Sequence, residues 1–451
     1  MFLLAIDWAS VGVKAGQFVL SFSILVILHE MGHFLPAKWF KCRVEKFFLF
    51  FNPWFSLAKK KIGETEYGLG WIPLGGYVKI SGMIDESMDR EQMKQPAQPW
   101  EFRSKPAWQR LIIMLGGVTV NVILGILIFW VLTMRFGDSY IPNSAAKYGI
   151  VPGEVGKKIG LQIGDKVVAI NGKPFERFDD LTSPQVLLDN TVFTVLRGTQ
   201  TLQISIPRTI LNDLNDHDIE GFISRLPRAK FIVDSLEPGS NAVKAGLKKG
   251  DSIVMANNHP IVFWDELQAQ LSANKGKQVE LGIKRNHELV TLKAQVTPEG
   301  KLGFYRAKSD FPDIKTIKYG FFEAFPIGAQ RAWGTFRDNA KGIGKIFRGD
   351  VNPGKAVSGP VAIANLFGGT VDWVHFWTLV GFLSMVLALM NLLPIPALDG
   401  GHAVFLIIEM IKGKPLSDKF LERAQIVGFV ILVTLMVFVF GNDIVKLVMK
   451  K

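Results

Sequence analysis

Four stretches of the chain, at about 10–35, 108–134, 374–394 and 424–441, are apolar over close to the ~20 residues a helix needs to cross a bilayer. The fourth, IVGFVILVTLMVFVFGN, is almost wholly apolar. The first contains the run VLSFSILVILHEMGHF, which would be an ordinary membrane helix but for His29, Glu30 and His33. It starts at an acidic residue, Asp7, and has no small-residue cleavage site, so it reads as a retained span and not as a removable signal peptide. The third carries Asn391 and then breaks at Pro394 and Pro396, where two backbone donors are lost. The pattern predicts four transmembrane helices, with 135–373 as a long insert between the second and the third.

The insert contains an internal repeat. Residues 160–172 read GLQIGDKVVAING and residues 246–258 read GLKKGDSIVMANN, and the stretches before them, VPGEVGKKIG and EPGSNAVKAG, also correspond. Each copy continues through a polar, helix-like stretch (179–189 and 264–273) into an alternating strand pattern, TVFTVLRG and QVELGIKR. This pattern resembles the PDZ domain, with one copy at 139–225 and a second at 226–310. Such domains bind an extended peptide by adding it to a sheet edge. A passive size filter is the alternative, and neither copy has a clear GLGF-type carboxylate loop. After the repeat, 317–347 interleaves aromatic residues with Arg331, Arg337, Lys341 and Lys345. It reads as an amphipathic interfacial helix leading into the third span, or as a helix packed on the repeat pair.

Composition sharpens this picture. In 451 residues, 48% hydrophobic content is high for a soluble protein, whereas 20% charge is too much for a wholly membrane-embedded one. Spans and soluble modules must therefore coexist. The net charge of +12 suits anionic lipid or nucleic acid. No helix-turn-helix, RNA-binding aromatic motif or Cys/His finger supports the nucleic-acid option. A single cysteine, Cys42, rules out an internal disulfide and a thiolate metal cluster. The segments after the first span (Lys38, Lys41, Arg43, Lys46, Lys59–Lys61) and between the third and fourth (Lys412, Lys414, Lys419, Arg423) are basic, so both are expected on the cytoplasmic side. The insert then lies outside. The tail residues Lys446, Lys450 and Lys451 run counter to this orientation.

His29, Glu30 and His33 spell H-E-x-x-H. On a helix, positions i and i+4 share a face one turn apart, so both imidazoles can grip one metal ion while the glutamate reaches water beside it. Ionisable groups in lipid cost on the order of 2.5–3.5 kcal/mol each, so three in one span suggest a use. A catalytic zinc takes three protein ligands, and two histidines leave it one short. Asp399 follows the broken end of the third span, with no lysine or arginine beside it, and is the candidate third ligand. An ordinary aspartate–glycine turn would explain it too, and His402 competes as a ligand.

HExxH in the first span, N-x-x-P-x-P-x-L-D-G at 391–400 and PDZ-like copies between them closely resemble the site-2 protease family of intramembrane zinc metalloproteases. The resemblance covers essentially the whole chain. It implies a polytopic α-helical membrane protein with four transmembrane helices, a membrane-associated β-hairpin and an inserted tandem pair of PDZ-like α/β domains. The first two spans occupy 1–135 and the last two 374–451. The resemblance further implies Zn2+ held by His29, His33 and Asp399, with Glu30 as catalytic acid/base and Asn391 holding the substrate backbone. Residues 66–80 (EYGLGWIPLGGYVKI) look like the family's membrane-dipping hairpin, which pairs with substrate and would place Gly75, Gly76 and Tyr77 against it. Gly117-x-x-x-Asn121 matches a family element in the second span, except that Val118 stands where proline is usual; it makes Asn121 a candidate substrate contact, with a residue that satisfies a neighbouring helix as the alternative. Ser358-Gly359-Pro360 also fits the loop before the third span.

The expected activity is hydrolysis of peptide bonds within transmembrane segments of single-span proteins, such as an anti-sigma factor or leftover signal peptides. The implied setting is the bacterial inner membrane, with the PDZ-like copies periplasmic and the active site toward the cytoplasm. Two other classes are consistent with parts of the sequence. A catalytically inactive PDZ membrane scaffold would hold no zinc, and a metal transporter would need further acidic or His residues in the second and fourth spans.

Overall fold

Each apolar stretch forms one long helix in the computed structural model, which describes residues 7–83, 95–214 and 219–449. The spans are Trp8–Trp39, Ala107–Phe136, Trp373–Leu392 and Asp418–Met449, all long and apolar enough to cross a membrane. They belong to a unit made of Met1–Gly137, Lys318–Gly344 and Pro353–Lys451, and a second unit holds Asp138–Ile317 and Lys345–Asn352.

In hydrocarbon no hydrophobic force joins helices, so close backbone approach at small residues does the work. The first and second spans cross at Gly32 and Gly116, where a Cβ on either residue would run into the other's backbone. The second and third spans meet at Gly125 and Gly381, and Ser384 donates to the Asn121 carbonyl over 2.7 Å. The fourth span touches the Pro396 backbone at Gly428. Near the end of that span, buried Asp443 accepts from the backbone N–H groups of Gly359, Val361 and Ala362 at 3.0, 3.1 and 3.4 Å. It thereby caps the short Pro360–Leu366 helix, and Gly359 leaves room for the carboxylate.

The helix Phe321–Phe347 lies in the first unit as far as Gly344, and there it packs on the second span. Ala324 and Ala332 are fully buried, and Gly328 meets the Trp130 backbone. Trp130 Nε1 donates to the Phe321 carbonyl at 2.8 Å, and Arg331 donates to Thr133 Oγ1 at 3.1 Å. Phe322 and Trp333 remain exposed.

The segment expected to be a hairpin is part of a larger sheet. Four strands, β1 (Val44–Phe51), β2 (Ala58–Ile62), β3 (Thr65–Leu69) and β4 (Ile72–Ile80), pair in the order β2-β3-β1-β4. β3 and β4 therefore do not pair with each other. β1 lies between them, parallel to β3 and antiparallel to β4. Gly70 carries the two-residue connection over the end of β1, where any Cβ would strike the Phe50 and Phe51 carbonyls. β4 is left as an edge strand. A Cβ on its Gly76 would lie 2.7 Å from Val26 Cγ1 and 3.6 Å from Glu30 Cγ of the first span.

The second unit contains two hydrophobic cores, one drawn from Ile141–Ile223 and one from Phe231–Leu302. Their repeated motifs build the same clamp twice. Asp165 receives Arg197 through Nε and Nη2, both at 2.7 Å, and the Gln162 N–H at 2.8 Å. Asp251 receives Arg285 in the same way at 2.7 Å twice, and the Lys248 N–H at 2.8 Å. The glycine before each aspartate, Gly164 or Gly250, has φ of +90° or +88°, which explains G-D in both copies. Asn171 and Asn257 close the motifs in left-handed turns, each accepting a strand N–H (Val192 at 2.8 Å, Glu280 at 2.9 Å).

Candidate metal centre

His29 and His33 lie one turn apart on the first span, both only 8% exposed. Their Nε2 atoms are 3.3 Å apart. Asp399 opens the Asp399–Lys412 helix just after the Pro394–Pro396 break, and its Oδ2 is 3.3 Å from each Nε2. Gly400 and Gly401 make that sharp re-entry possible, since a Cβ on either would collide with carbonyls of the broken segment. The carboxylate also sits in a helix's first turn, where the backbone dipole favours an anion.

The three atoms form an equilateral triangle with 3.3 Å edges. Tetrahedral zinc, with bonds of about 2.0–2.2 Å to nitrogen and oxygen, separates neighbouring ligand atoms by roughly 3.3–3.5 Å. The triangle thus has the dimensions of one face of a zinc tetrahedron. Asp399 Oδ2 is buried without a hydrogen-bond partner. His33 Nδ1 lies 2.8 Å from the Ile113 carbonyl and donates to it, which turns the Nε2 lone pair toward the triangle. Three acceptors facing one point fit a cation, and the donor set fits zinc. Among the described residues these are the only three His, Cys, Asp or Glu side chains grouped closely enough to hold a metal ion.

Glu30 follows His29 on the helix and lines the same cavity, about 690 Å³ in volume, as His29, His33 and Asp399. Gly76 and Tyr77 of edge strand β4 form another wall. The Tyr77 ring stacks on Phe48 and Phe51, and its hydroxyl donates to Asn52 at 2.9 Å. Gly75, in contrast, packs against the Phe51 ring and is not part of the lining. Asn391 Nδ2 is 3.2 Å from His29 Nε2, at the rim of the triangle. Asn121 is fully buried on the far side of His29, 3.1 Å from Nδ1, and does not line the cavity. His402 lines the cavity outside the ligand triangle.

Sequence reasoning passed over Gln425, a buried amide of the fourth span that faces the same cavity. Its signal was a lone polar residue at the start of an otherwise apolar run. Sequence reasoning placed Gly117 in the G-x-x-x-N element of the second span but gave it no role. A Cβ there would lie 2.5 Å from both His29 Cε1 and His33 Nε2, so the absent side chain is what admits the two imidazoles.

Comparison with known proteins gives this geometry a family. The model of peptidase family M50 matches residues 17–435. Protease RseP of Yersinia pestis is 29% identical over 462 residues, covering 95% of this chain and 98% of its own. The regulator of sigma-E protease RseP of Escherichia coli K12 is 29% identical over 459 residues, covering 96% and 98%. A chain of Neisseria meningitidis whose name carries the words zinc metalloprotease is 29% identical over 458 residues, covering 95% and 98%. A match over nearly the whole length, around two histidines, a glutamate and an aspartate brought to one cavity, places this chain in peptidase family M50.

Proposed function

We propose that the protein is an intramembrane zinc metalloprotease that cleaves single-span membrane proteins within their transmembrane segments. The observation that carries this reading is the 3.3 Å triangle of His29, His33 and Asp399 beside Glu30, inside a unit of four membrane-length helices. His29, His33 and Asp399 would hold the zinc. When bound, zinc supplies Lewis acidity that polarises the scissile carbonyl and makes water acidic enough to attack near neutral pH. Glu30, in the wall of the same cavity, is placed to take a proton from an attacking water and to return one to the leaving amine.

A peptide bond in a transmembrane helix is shielded by its own hydrogen bonds, so the substrate must unwind before it can react. Edge strand β4 offers a row of backbone groups to the unwound segment, with Gly76 and Tyr77 beside the cavity. Asn391, at the rim of the triangle, and Gln425, across the cavity, supply side-chain amides to the same backbone. The basic segments after the first span and after the third support a catalytic end toward the cytoplasm and a repeat-bearing unit in the periplasm. Residues 139–225 and 226–310 act as PDZ-like modules that hold extended peptide. Relatives named regulator of sigma-E protease support a membrane-bound anti-sigma factor as substrate, with remnant signal peptides as a second class.

Glu30→Gln tests the mechanism. The variant is expected to fold and to retain zinc while cleavage of a model single-span substrate falls by at least about 100-fold. Full activity in Glu30→Gln would overturn the role of Glu30. Wild-type protein that holds no zinc would favour an inactive scaffold.

A further inference from the structure

Both ring nitrogens of His29 face an amide nitrogen: Asn121 Nδ2 at 3.1 Å from Nδ1, and Asn391 Nδ2 at 3.2 Å from Nε2. A neutral imidazole has one lone-pair nitrogen and one N–H, so it cannot accept from both. To serve as a ligand atom Nε2 needs the lone pair, because it is one corner of the triangle. Nδ1 therefore carries the proton and needs an acceptor. Asn121 Oδ1 is buried with no hydrogen-bond partner. A half-turn of the amide brings that oxygen to Nδ1, since the O and N ends of an asparagine are interchangeable by rotation.

We infer that Asn121 is a positioning residue of the metal centre: its side-chain oxygen accepts the His29 Nδ1–H, fixing the tautomer and ring plane of one zinc ligand. The inference rests on the zinc reading above. It assigns Asn121 to the back of a ligand, where the sequence had suggested a substrate contact.

The surroundings are built for that task. Asn121 is 0% exposed, and its own carbonyl is held by Ser384 Oγ at 2.7 Å, which ties this point of the second span to the third. Gly117, one turn earlier on the same helix, leaves the space in which the His29 ring sits. G-x-x-x-N thus delivers a gap and an acceptor on one helix face, four residues apart. The arrangement parallels that at His33, whose Nδ1–H is taken by the Ile113 carbonyl of the same span at 2.8 Å. One helix would orient both imidazoles, by a backbone oxygen in one case and a side-chain oxygen in the other. Partners of this kind are typically worth 10–100-fold in metal affinity.

The test uses the full-length protein in detergent, with zinc affinity measured by chelator competition. Asn121→Leu keeps the volume and removes the acceptor; affinity is expected to fall 10–100-fold. Asn121→Asp keeps an oxygen at the same place and is expected to stay within about threefold of wild type, with shifted d–d absorption bands in the cobalt-substituted protein. A merely structural role predicts that both variants change thermal stability without separating in metal affinity. Unaltered affinity in Asn121→Leu would overturn the inference. Should that variant not fold, Asn121→Asp decides alone: an affinity loss of tenfold or more, or bands identical to wild type, overturns it. Wild-type protein without zinc affinity would instead defeat the underlying zinc reading.

Discussion

A methyl group placed on Gly117 would probe the metal centre without replacing a ligand, the general base or a residue of the cavity wall. In Gly117→Ala the new carbon would lie 2.5 Å from His29 Cε1, 2.5 Å from His33 Nε2 and 2.7 Å from His29 Nδ1. Non-bonded heavy atoms settle at about 3.5–4.0 Å, so the rings and the second span must part by roughly 1 Å. Moving the span means loosening its backbone contact at the Gly32–Gly116 crossing, and moving the rings means leaving the 3.3 Å triangle. Metal sites tolerate ligand errors of only about 0.2 Å. A loss of at least ~100-fold in zinc affinity follows, equivalent to about 2.7 kcal/mol. The assay is zinc per chain by mass spectrometry after equilibration at fixed free zinc, beside cleavage of a model substrate. Gly125→Ala is the matched control on the same helix, because its methyl would press on the Met385 side chain, 2.5 Å from Sδ, and meet the Gly381 carbonyl at an ordinary 3.5 Å, away from the triangle. One zinc per chain and activity within twofold of wild type in Gly117→Ala would refute the reasoning.

Two further outcomes follow from features away from the metal. Asp443→Ala removes the acceptor for three backbone N–H groups and is expected to cost about 1–2 kcal/mol, read as a lower melting temperature in detergent. Gly359→Ala, whose methyl would press on the same carboxylate, is expected to destabilise too, but the double variant should lose less than the two single losses added. In the second repeat, burial opposes the charge on Asp251, yet the Arg285 guanidinium and the Lys248 N–H more than offset it and hold its carboxyl below the usual range. Its contribution to stability is therefore complete above the ordinary carboxylate pKa of about 3.9 and is lost as pH falls through the lower folded value. Hydrogen exchange across 246–285, corrected for intrinsic rates, should show protection falling in that acidic window in wild type and flat in Asp251→Asn.

The elements that were legible in the sequence are those whose physics is local. A span announces itself because ~20 apolar residues have few other uses. His29 and His33 declare a shared face because i and i+4 always do on a helix. Asp399 stood out because two prolines unwind the chain just before it. The β sheet was misjudged because VEKFFLFF has no clean two-residue period, and parallel pairing of β1 with β3 is set by a crossover that local patterns do not encode. That Asn121 lies against His29 was not legible for a related reason. Its side-chain partner depends on where two spans cross, and that crossing is decided at Gly32 and Gly116, glycines that look like any others in an apolar run.

The metal triangle draws its corners from opposite ends of the polypeptide, and this has a consequence for how the enzyme is born. Asn391 comes 362 positions after His29, and Asp399 later still. At roughly 5–20 residues per second, tens of seconds separate synthesis of the two parts. During that interval the first span is in the bilayer with two histidines and a glutamate but no third corner. The growing chain carries only part of the candidate metal centre, and the triangle can close only once the segment that follows the third span has been made.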